Sequence, residues 1–481
     1  SSSGAINLNS GNVVYLDHDA DVTISFSNVS TATQVTIIRT ISQYDITWPA
    51  AVKWDGPTDE PVLSRNTQSP NVGQVFILKT ADGGTTWYGY EEVKSGGYEL
   101  LTWGDNTVGQ LGNSQVGAPW SPPPNSANPG GNLIRKPAVL GSKTNWTGLV
   151  GCSGGGSTFG ITNENGELFM WGAQTHGQLA GTTIASSGRR SSPTLVSGGG
   201  WNAERTRTGC ENQVSCLKND GTLWSWGYMC YGRGGNVPVG CVNLNSPVQV
   251  PGTNWASNFT HSRGGGAIRT DGTLWMWGIG LEGNLGVNNR TYYSSPVQIP
   301  GSTWKQACGN TAGIAAVKTN GTLWTWGRAE QGSLANNKED TNYSSPIQIP
   351  GTNWAMVGNN YSTKAAIKTD GTLWTWGDNN KGQLGQNQPE SSDRSSPVQI
   401  PGTDWKYIAS GMGQGFHYAI QTDGTLWGWG RADYGQFGTA PGIDAYSSPI
   451  QLPGSNYYYA MHQGHSACAL RGAQAPGSRY K

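Results

Sequence analysis

The chain has 481 residues with 30 basic and 30 acidic side chains, so its formal net charge is zero, and charged residues make up only 12% of it. That balance argues against a nucleic-acid or anionic-membrane partner, which demands a basic surface, and no apolar run approaches the roughly 20 residues of a membrane-spanning helix. With 72 Gly and 22 Trp, the composition is that of a turn-rich all-β protein and not a helical one. No secretory signal is visible. The chain opens on Ser1 without Met, which fits processing or a start at an ordered point and leaves an N-terminal address open.

Residues 1–95 read as a unit of their own. Segments 13–16, 22–26 and 34–41 are strands by alternation and β-branching. Segment 45–54 is DITWPAAVKW, and Asp55-Gly56-Pro57 turns the chain. A strand at 74–80 (QVFILKT), a turn at Asp82-Gly83-Gly84 and a return at 85–91 (TTWYGYE) follow. The expected fold is a small antiparallel β-sandwich. The pattern across 46–92 resembles modules of bacteriophage tail fibres and related virion proteins. That resemblance implies an attachment module near a receptor-binding end. Ser95-Gly96-Gly97 is a short hinge into the rest.

From residue 98 the chain repeats itself. The sequence DGTLWTWGDNNKGQLG at 370–385 has near copies at 220–227 (DGTLWSWG), 271–278 (DGTLWMWG), 320–327 (NGTLWTWG) and 423–430 (DGTLWGWG), with degenerate ones at 165–172 and 98–104. The Trp before each closing Gly is Trp103, Trp171, Trp226, Trp277, Trp326, Trp376 and Trp429, at spacings of 68, 55, 51, 49, 50 and 53. Periods near 50 mark solenoids, propellers or arrays. Asp-Gly or Asn-Gly favours a tight hairpin turn because both central residues tolerate φ > 0, and Thr-Leu-Trp-x-Trp is a strand former. Each copy is therefore a hairpin, with a partner strand such as 365–369. A polar loop, Ser-Pro, a short strand such as 398–400, Pro-Gly-Thr and a further Trp follow. Four short strands per repeat make a propeller blade. The first copy lacks an upstream partner strand, and the last repeat ends on one at 465–470. Pairing of 466–470 with 99–103 would complete seven blades and remove the sheet edges.

WGDNNKGQLG, WGDNTVGQLG at 103–112, the following Ser-Pro-Val-Gln and the Asp-Gly turn resemble the regulator of chromosome condensation repeat family, in its prokaryotic and viral branch. The resemblance spans 98 to about 471 and implies a seven-bladed β-propeller. The expected organisation is thus 1–95 attachment module, 98–471 propeller and 472–481 tail, all-β throughout.

Catalytic chemistry is not evident. The seven Cys (152, 210, 216, 230, 241, 308 and 468) contain no Cys-x-x-Cys pair. Cys152, Cys210 and Cys308 share a repeat position that demands a small side chain. Cys230 and Cys241 flank an insertion holding Arg233, where a disulfide is open. The six His show no ligand spacing and read as satisfied structural residues. Gly154-Gly155-Gly156 and Gly264-Gly265-Gly266 lack a following helix and Lys, so they read as close backbone approach and not as a phosphate cradle. Trp224, Trp275, Trp324, Trp374 and Trp427 are expected in the core between blades. No catalytic residue, cofactor or metal is expected.

Recognition is expected in the loops between Trp-Gly and Ser-Pro, which vary on a fixed framework. They carry Trp120, Tyr228, Tyr231, Arg233, Tyr292, Tyr293, Arg328, Tyr343, Arg394, Tyr434 and Tyr446, and Tyr and Arg are the usual interface anchors. The leading expectation is a bacteriophage virion structural protein, a tail-fibre or receptor-binding component. It would attach to other virion proteins through the N-terminal module and meet a host-surface glycan or protein through the propeller. The resemblance also implies a homo-oligomer such as a trimer, on a virion assembled in the host cytoplasm. The alternatives are a nucleotide-exchange factor for a small GTPase, as in the eukaryotic founder of the repeat family, another protein-interaction propeller, a capsid decoration protein or a bacterial adhesin. No residue-level match to an exchange hairpin is found. An enzyme such as a lyase would need convergent acid, base and metal groups that the sequence does not offer.

Overall fold

In the computed structural model, residues 1–97 and 98–481 form two compact units. The structure describes the strands of 1–97 by their backbone, and 98–472 apart from 115–133, 142–144, 153–156, 182–187, 208–211, 237–239, 312, 339–340, 388–391 and 438–443; the side chains of 134–136, 152 and 207 are also outside it. In the first unit, Ser2–Asn7, Val22–Ser27 and Ile46–Thr47 form a sheet in which both pairings are parallel. Val13–Leu16, Thr33–Thr40, Gly73–Thr80, Trp87–Glu92 and Val52–Trp54 form a second, mixed sheet. This corrects the expectation of an antiparallel unit. The first five strands alternate between the two sheets, and within each sheet these strands pair in parallel. Gly73–Thr80 pairs antiparallel with both Thr33–Thr40 and Trp87–Glu92.

The second unit is a β-propeller of seven blades. Blade 6 is typical: Trp354–Asn359, Thr363–Lys368, Leu373–Gly377 and Arg394–Ile400 pair antiparallel in that order. The first strand lies at the axis, where first strands of successive blades pack together. Twice they pair directly and in parallel: Thr206–Arg207 with Trp255–His261, and Ser410–Gly413 with Tyr457–Gly464. Blade 1 closes the ring as expected. Ser466–Gly472 pairs antiparallel with Tyr98–Gly104, Ala467 facing Trp103 and Arg471 facing Glu99. Tyr457–Gly464 and Ile134–Val139 complete that blade on its inner and outer sides.

The repeated motif has a local reason at each position. At the Asp-Gly turn, Gly371 N–H donates to Lys368 O at 3.0 Å and Lys368 N–H to Thr372 O at 2.9 Å. Gly371 has φ +77°, whereas Asp370 is not among the positive-φ residues. The hairpin is thus a three-residue loop ending in a left-handed Gly and not the two-residue turn expected from Asp-Gly. Asp370 Oδ1 instead accepts from Thr372 N–H and Oγ1–H at 3.0 and 2.7 Å. The Gly of Trp-Gly sits at a bulge opposite the outer strand, with φ +107° at Gly377. A Cβ there would meet Ser362 O at 2.7 Å, so the bend admits Gly alone.

Neighbouring blades are stitched on both faces. The indole N–H of Trp376 donates to Ser333 O of the preceding blade at 3.0 Å. The same bond joins Trp103 to Gln436, Trp171 to Gln110, Trp226 to Gln178, Trp277 to Arg233, Trp326 to Asn284 and Trp429 to Gln383. All seven of these Trp are fully buried. On the opposite face the turn Gly carbonyl takes the N–H of the next blade's first residue, as Gly371 O does from Trp405 N–H at 3.0 Å. The expectation that Trp224, Trp275, Trp324, Trp374 and Trp427 are core is corrected: they are half-buried at the blade rim. Each follows the turn by one residue past Leu, where the neighbouring blade no longer covers it. Trp374, for example, donates to Thr372 Oγ1 at 2.9 Å and packs edge-on against Trp354, with Lys368 Nζ within 4.7 Å of both ring centres.

Candidate functional site

Because strands alternate in direction, the turns between first and second strands share one face with the long Trp-Gly to Ser-Pro loops. The Asp-Gly turns lie on the other. On the loop face, near the axis, two cavities of about 440 and 500 Å³ adjoin and share Gln331, Tyr361 and Ser362. The first is also lined by Asp378, Lys381, Gln414 and Arg431, the second by Arg233, Ser262, Arg263, Ile279, Thr311 and Arg328.

Tyr361 stands between them with 43% of its surface exposed. Its backbone is fixed from both sides: its N–H donates to Gly413 O at 3.1 Å, and its carbonyl accepts from Thr311 Oγ1 at 2.8 Å. Asn360 Oδ1 accepts from Ser362 and Thr363 N–H at 3.1 and 2.8 Å, shaping the turn. Ser362 Oγ donates to Asp378 Oδ2 at 2.9 Å. The exposed ring therefore projects from a turn tied to blades 5 and 7.

The charges around the second cavity form a chain. Arg263 Nη2 lies 3.2 Å from Glu282 Oε1, Arg328 Nε 3.8 Å from the same oxygen, and Arg328 Nη2 2.9 Å from Glu330 Oε2. In the first cavity Arg431 grips Asp433 through Nε and Nη2 at 2.8 Å each.

The expected recognition residues divide into several groups. Trp120 lies outside the described residues. Arg233 and Arg328 line the second cavity. Tyr231, 45% exposed, and half-buried Tyr292 meet edge-on at 6.2 Å between centres. Tyr228 is the penultimate residue of its strand, with His176 and Arg233 against its ring. Tyr293, Tyr343, Arg394 and Tyr446 fall at the first or second position of outer strands, half-buried, not in the loops. Tyr434 is 8% exposed and stacks on His465 at 3.7 Å. The loops pack their aromatics sideways onto neighbouring blades, which a sequence scan cannot see. Tyr361, Arg263, Gln331 and Lys381 were not expected. One signal existed: Tyr361 is the sole Tyr, Trp or Phe in the turns joining first and second strands.

Cys230 and Cys241 are joined as a disulfide, which fixes the loop carrying Tyr231 and Arg233. Cys216, Cys308 and Cys468 are buried thiols outside that bond. The expectation of satisfied His is corrected for two of them. His261 and His417 are buried with neither ring nitrogen hydrogen-bonded. Burial, followed by the nearby Arg233 and Arg263, pushes His261 down to about 3. Among the described residues, no three of His, Cys, Asp and Glu are placed to hold a metal ion.

Residues 370–415 match the family model "Regulator of chromosome condensation (RCC1) repeat". The propeller is similar in fold to human WBSCR16, at 19% identity and TM-score 0.65, over 78% of this chain and 98% of that one. It is also similar to Prp20p of Saccharomyces cerevisiae, at 14% identity and TM-score 0.65, over 79% and 93%. A third is yeast RCC1 (Prp20) solved with Kap60, at 14% identity and TM-score 0.62, over 79% and 90%. These matches establish the fold, a β-propeller, with one stretch, 370–415, similar to the RCC1 repeat. They correct the expected virion location, because the matching folds are proteins of human and yeast cells.

Proposed function

We propose that this chain is a protein-interaction propeller that receives a partner on its loop face. The observation that carries the reading is Tyr361, an exposed aromatic held by blades 5 and 7 between two Arg-bearing cavities. Exposed Tyr beside Arg is the composition of binding hot spots, and a turn fixed in advance loses little freedom on binding. Tyr231, Tyr292, Arg233 and Arg328 extend the same face outward. The reading also draws on likeness: Prp20p is described with binding to Gsp1p and histones, and yeast RCC1 with bound Kap60. Residues 1–97, a separate compact unit, are assigned to attachment.

The test is affinity capture from an extract of the producing cells, with the full chain as bait. The parent and Tyr458→Ala, a change at an exposed residue on the turn face, retain the same specific partner. Tyr361→Ala loses it. Equal capture by all three baits removes the loop face from the interaction. If the captured protein is a GTPase and the propeller accelerates its nucleotide release, the partner is an exchange substrate.

A further inference from the structure

We propose that the Trp405–Trp427 corner of blade 7 binds an alkylated ammonium group, carried by a small quaternary amine or by a methylated lysine of another protein. The corner is on the turn face and stands independently of the loop-face reading.

The other blades show what such a corner holds. In blades 3 to 6 the first-strand Trp and the Trp after the turn meet edge-on, with ring centres 6.1–6.4 Å apart. The last residue of the second strand faces that first Trp across the ladder and is a cation each time: Lys218, Arg269, Lys318 and Lys368. Its charged group lies 4.3–4.8 Å from both ring centres. A cation there is drawn to the electron-rich faces of two indoles at once.

Blade 7 keeps the rings and loses the cation. Trp405 and Trp427 meet at 6.1 Å and 78°, the same arrangement. The residue facing Trp405 is Gln421, which is neutral. Its side chain is half-buried and makes no hydrogen bond among the described residues, so no bond ties it in place.

A second change points the same way. Gly200, Asn254, Thr303 and Asn353 precede the first-strand Trp in blades 3 to 6, and Asp404 takes that place in blade 7. Asp404 and the turn's Asp423 are both exposed and without an ion pair among the described residues. Lys406, next after Trp405, is exposed and falls on the opposite side of the strand by alternation. Asp423 also reaches the cage itself: the Trp427 indole N–H donates to Thr425 Oγ1 at 2.9 Å, and that hydroxyl donates to Asp423 Oδ1 at 2.7 Å. The relay pushes electron density toward the ring, and the carboxylates favour a cation over a neutral guest.

Hydration sets the class of cation. The resident Lys and Arg are tethered and pay no cost of association, whereas an ammonium arriving from solution must shed its water. Methyl groups weaken that hydration and give the indole faces apolar surface to cover.

The probe is choline, followed by ligand-observed NMR with the full chain. The control is neopentyl carbinol, in which carbon replaces the ammonium nitrogen. A second arm uses end-capped Gly-Lys-Gly with trimethylated or unmodified lysine. Choline should bind saturably and the carbinol should not. Gln421→Lys supplies from inside the ammonium that blades 3, 5 and 6 hold. It should melt at or above the parent temperature and bind choline about tenfold more weakly, the loss of contact with two ring faces. Gln421→Ala leaves the cage unfilled and should bind at least as tightly as the parent. A trimethylated peptide that binds more tightly than choline identifies a protein side chain as the source, and the reverse order identifies a small quaternary amine. Equal binding of choline and carbinol, or no saturation by choline or the trimethylated peptide, overturns the proposal. So does saturable binding of the unmodified peptide as tight as that of the trimethylated one. Parent-strength choline binding or a lower melting temperature in Gln421→Lys, or lost binding in Gln421→Ala, overturns it as well.

Discussion

Arg471 and Glu99 meet across the closing blade, with Arg471 Nη2 donating to Glu99 Oε2 at 2.7 Å although 372 positions separate them. The pair sits where the two ends of the propeller chain lie side by side, in the one blade that neither an Asp-Gly nor an Asn-Gly turn closes. In the other blades a hairpin joins these two strands covalently. Here seven facing residue pairs do that work, and the Arg471 side chain, only 9% exposed, holds the register from the lower end.

Glu99→Ala should therefore lower unfolding free energy by about 2 kcal/mol, the loss of a charge-assisted contact that leaves a covered guanidinium without its carboxylate. Urea denaturation measures it. Truncation after Met461 removes Ser466–Gly472 entirely and leaves Tyr98–Gly104 with an unpaired edge. The truncated chain should elute as aggregate in size-exclusion chromatography. A monomeric, soluble product would show that blade 1 does not need its C-terminal strand.

The two Trp of one motif should behave differently. Trp376 is fully buried and donates to Ser333 O across the blade boundary, so Trp376→Ala should cost about 3–5 kcal/mol. Trp376→Phe keeps most of the ring and loses the bond, at about 1 kcal/mol plus the unfilled volume. Trp374 is half-buried and capped by Lys368, so Trp374→Ala should cost about 1–2 kcal/mol. Equal costs at the two positions would mean that the blade rim is as closely covered as the interior.

What could be read from the sequence was what each repeat states locally. The turn at Asp-Gly or Asn-Gly and the strand pattern each obey a backbone rule, and seven copies with incomplete ends required a closed ring. Features that depend on several blades at once were not legible. Tyr361 matters because turns of blades 5 and 7 clamp its backbone, and no single repeat contains that fact. Tyr434 looked like a loop aromatic, yet it is covered by His465, a residue of the adjoining blade. The rim Trp were misplaced because period-2 alternation gives the side of a strand but not how far the next blade reaches. In 1–97 the strands were visible and their direction was not, because parallel pairing is set by crossings between sheets.

The disulfide between Cys230 and Cys241 closes a loop of sequence separation 11. Loop-closure entropy for that length gives about 3 kcal/mol of stabilisation of blade 3. Melting with and without reductant should differ accordingly, and Cys230→Ala/Cys241→Ala should melt like the reduced parent and not respond to reductant. Thiol titration of the denatured chain without reductant should find the same number of reactive groups in the parent as in that double variant. Two more groups in the parent would mean that the loop is open in solution.

Stability should also depend on acid through His417. It faces Trp429 in the second strand of blade 7 and stacks on it at 5.5 Å. Burial, and then the nearby His462, holds it well below its ordinary value of 6.5. The sign follows directly. Above pH 6.5 the imidazole is neutral in both folded and unfolded chains, and the protein has its full stability. Below 6.5 the unfolded chain takes a proton that the folded one refuses, so stability falls with pH by about 1.4 kcal/mol per unit for each such residue. The decline ends only where the folded His itself protonates. His462, pushed by burial down to about 3, adds its own slope over the same window. Blade 2 shows what can replace His417: Phe159 occupies the equivalent position opposite Trp171 and stacks on it at 6.2 Å. His417→Phe should therefore fold, differ from the parent by a constant amount above pH 6.5, and lose about 1.4 kcal/mol per unit less than the parent between pH 6.5 and 4.5. Urea midpoints across that range measure it. A slope identical to the parent's would mean that His417 takes up its proton in the folded chain.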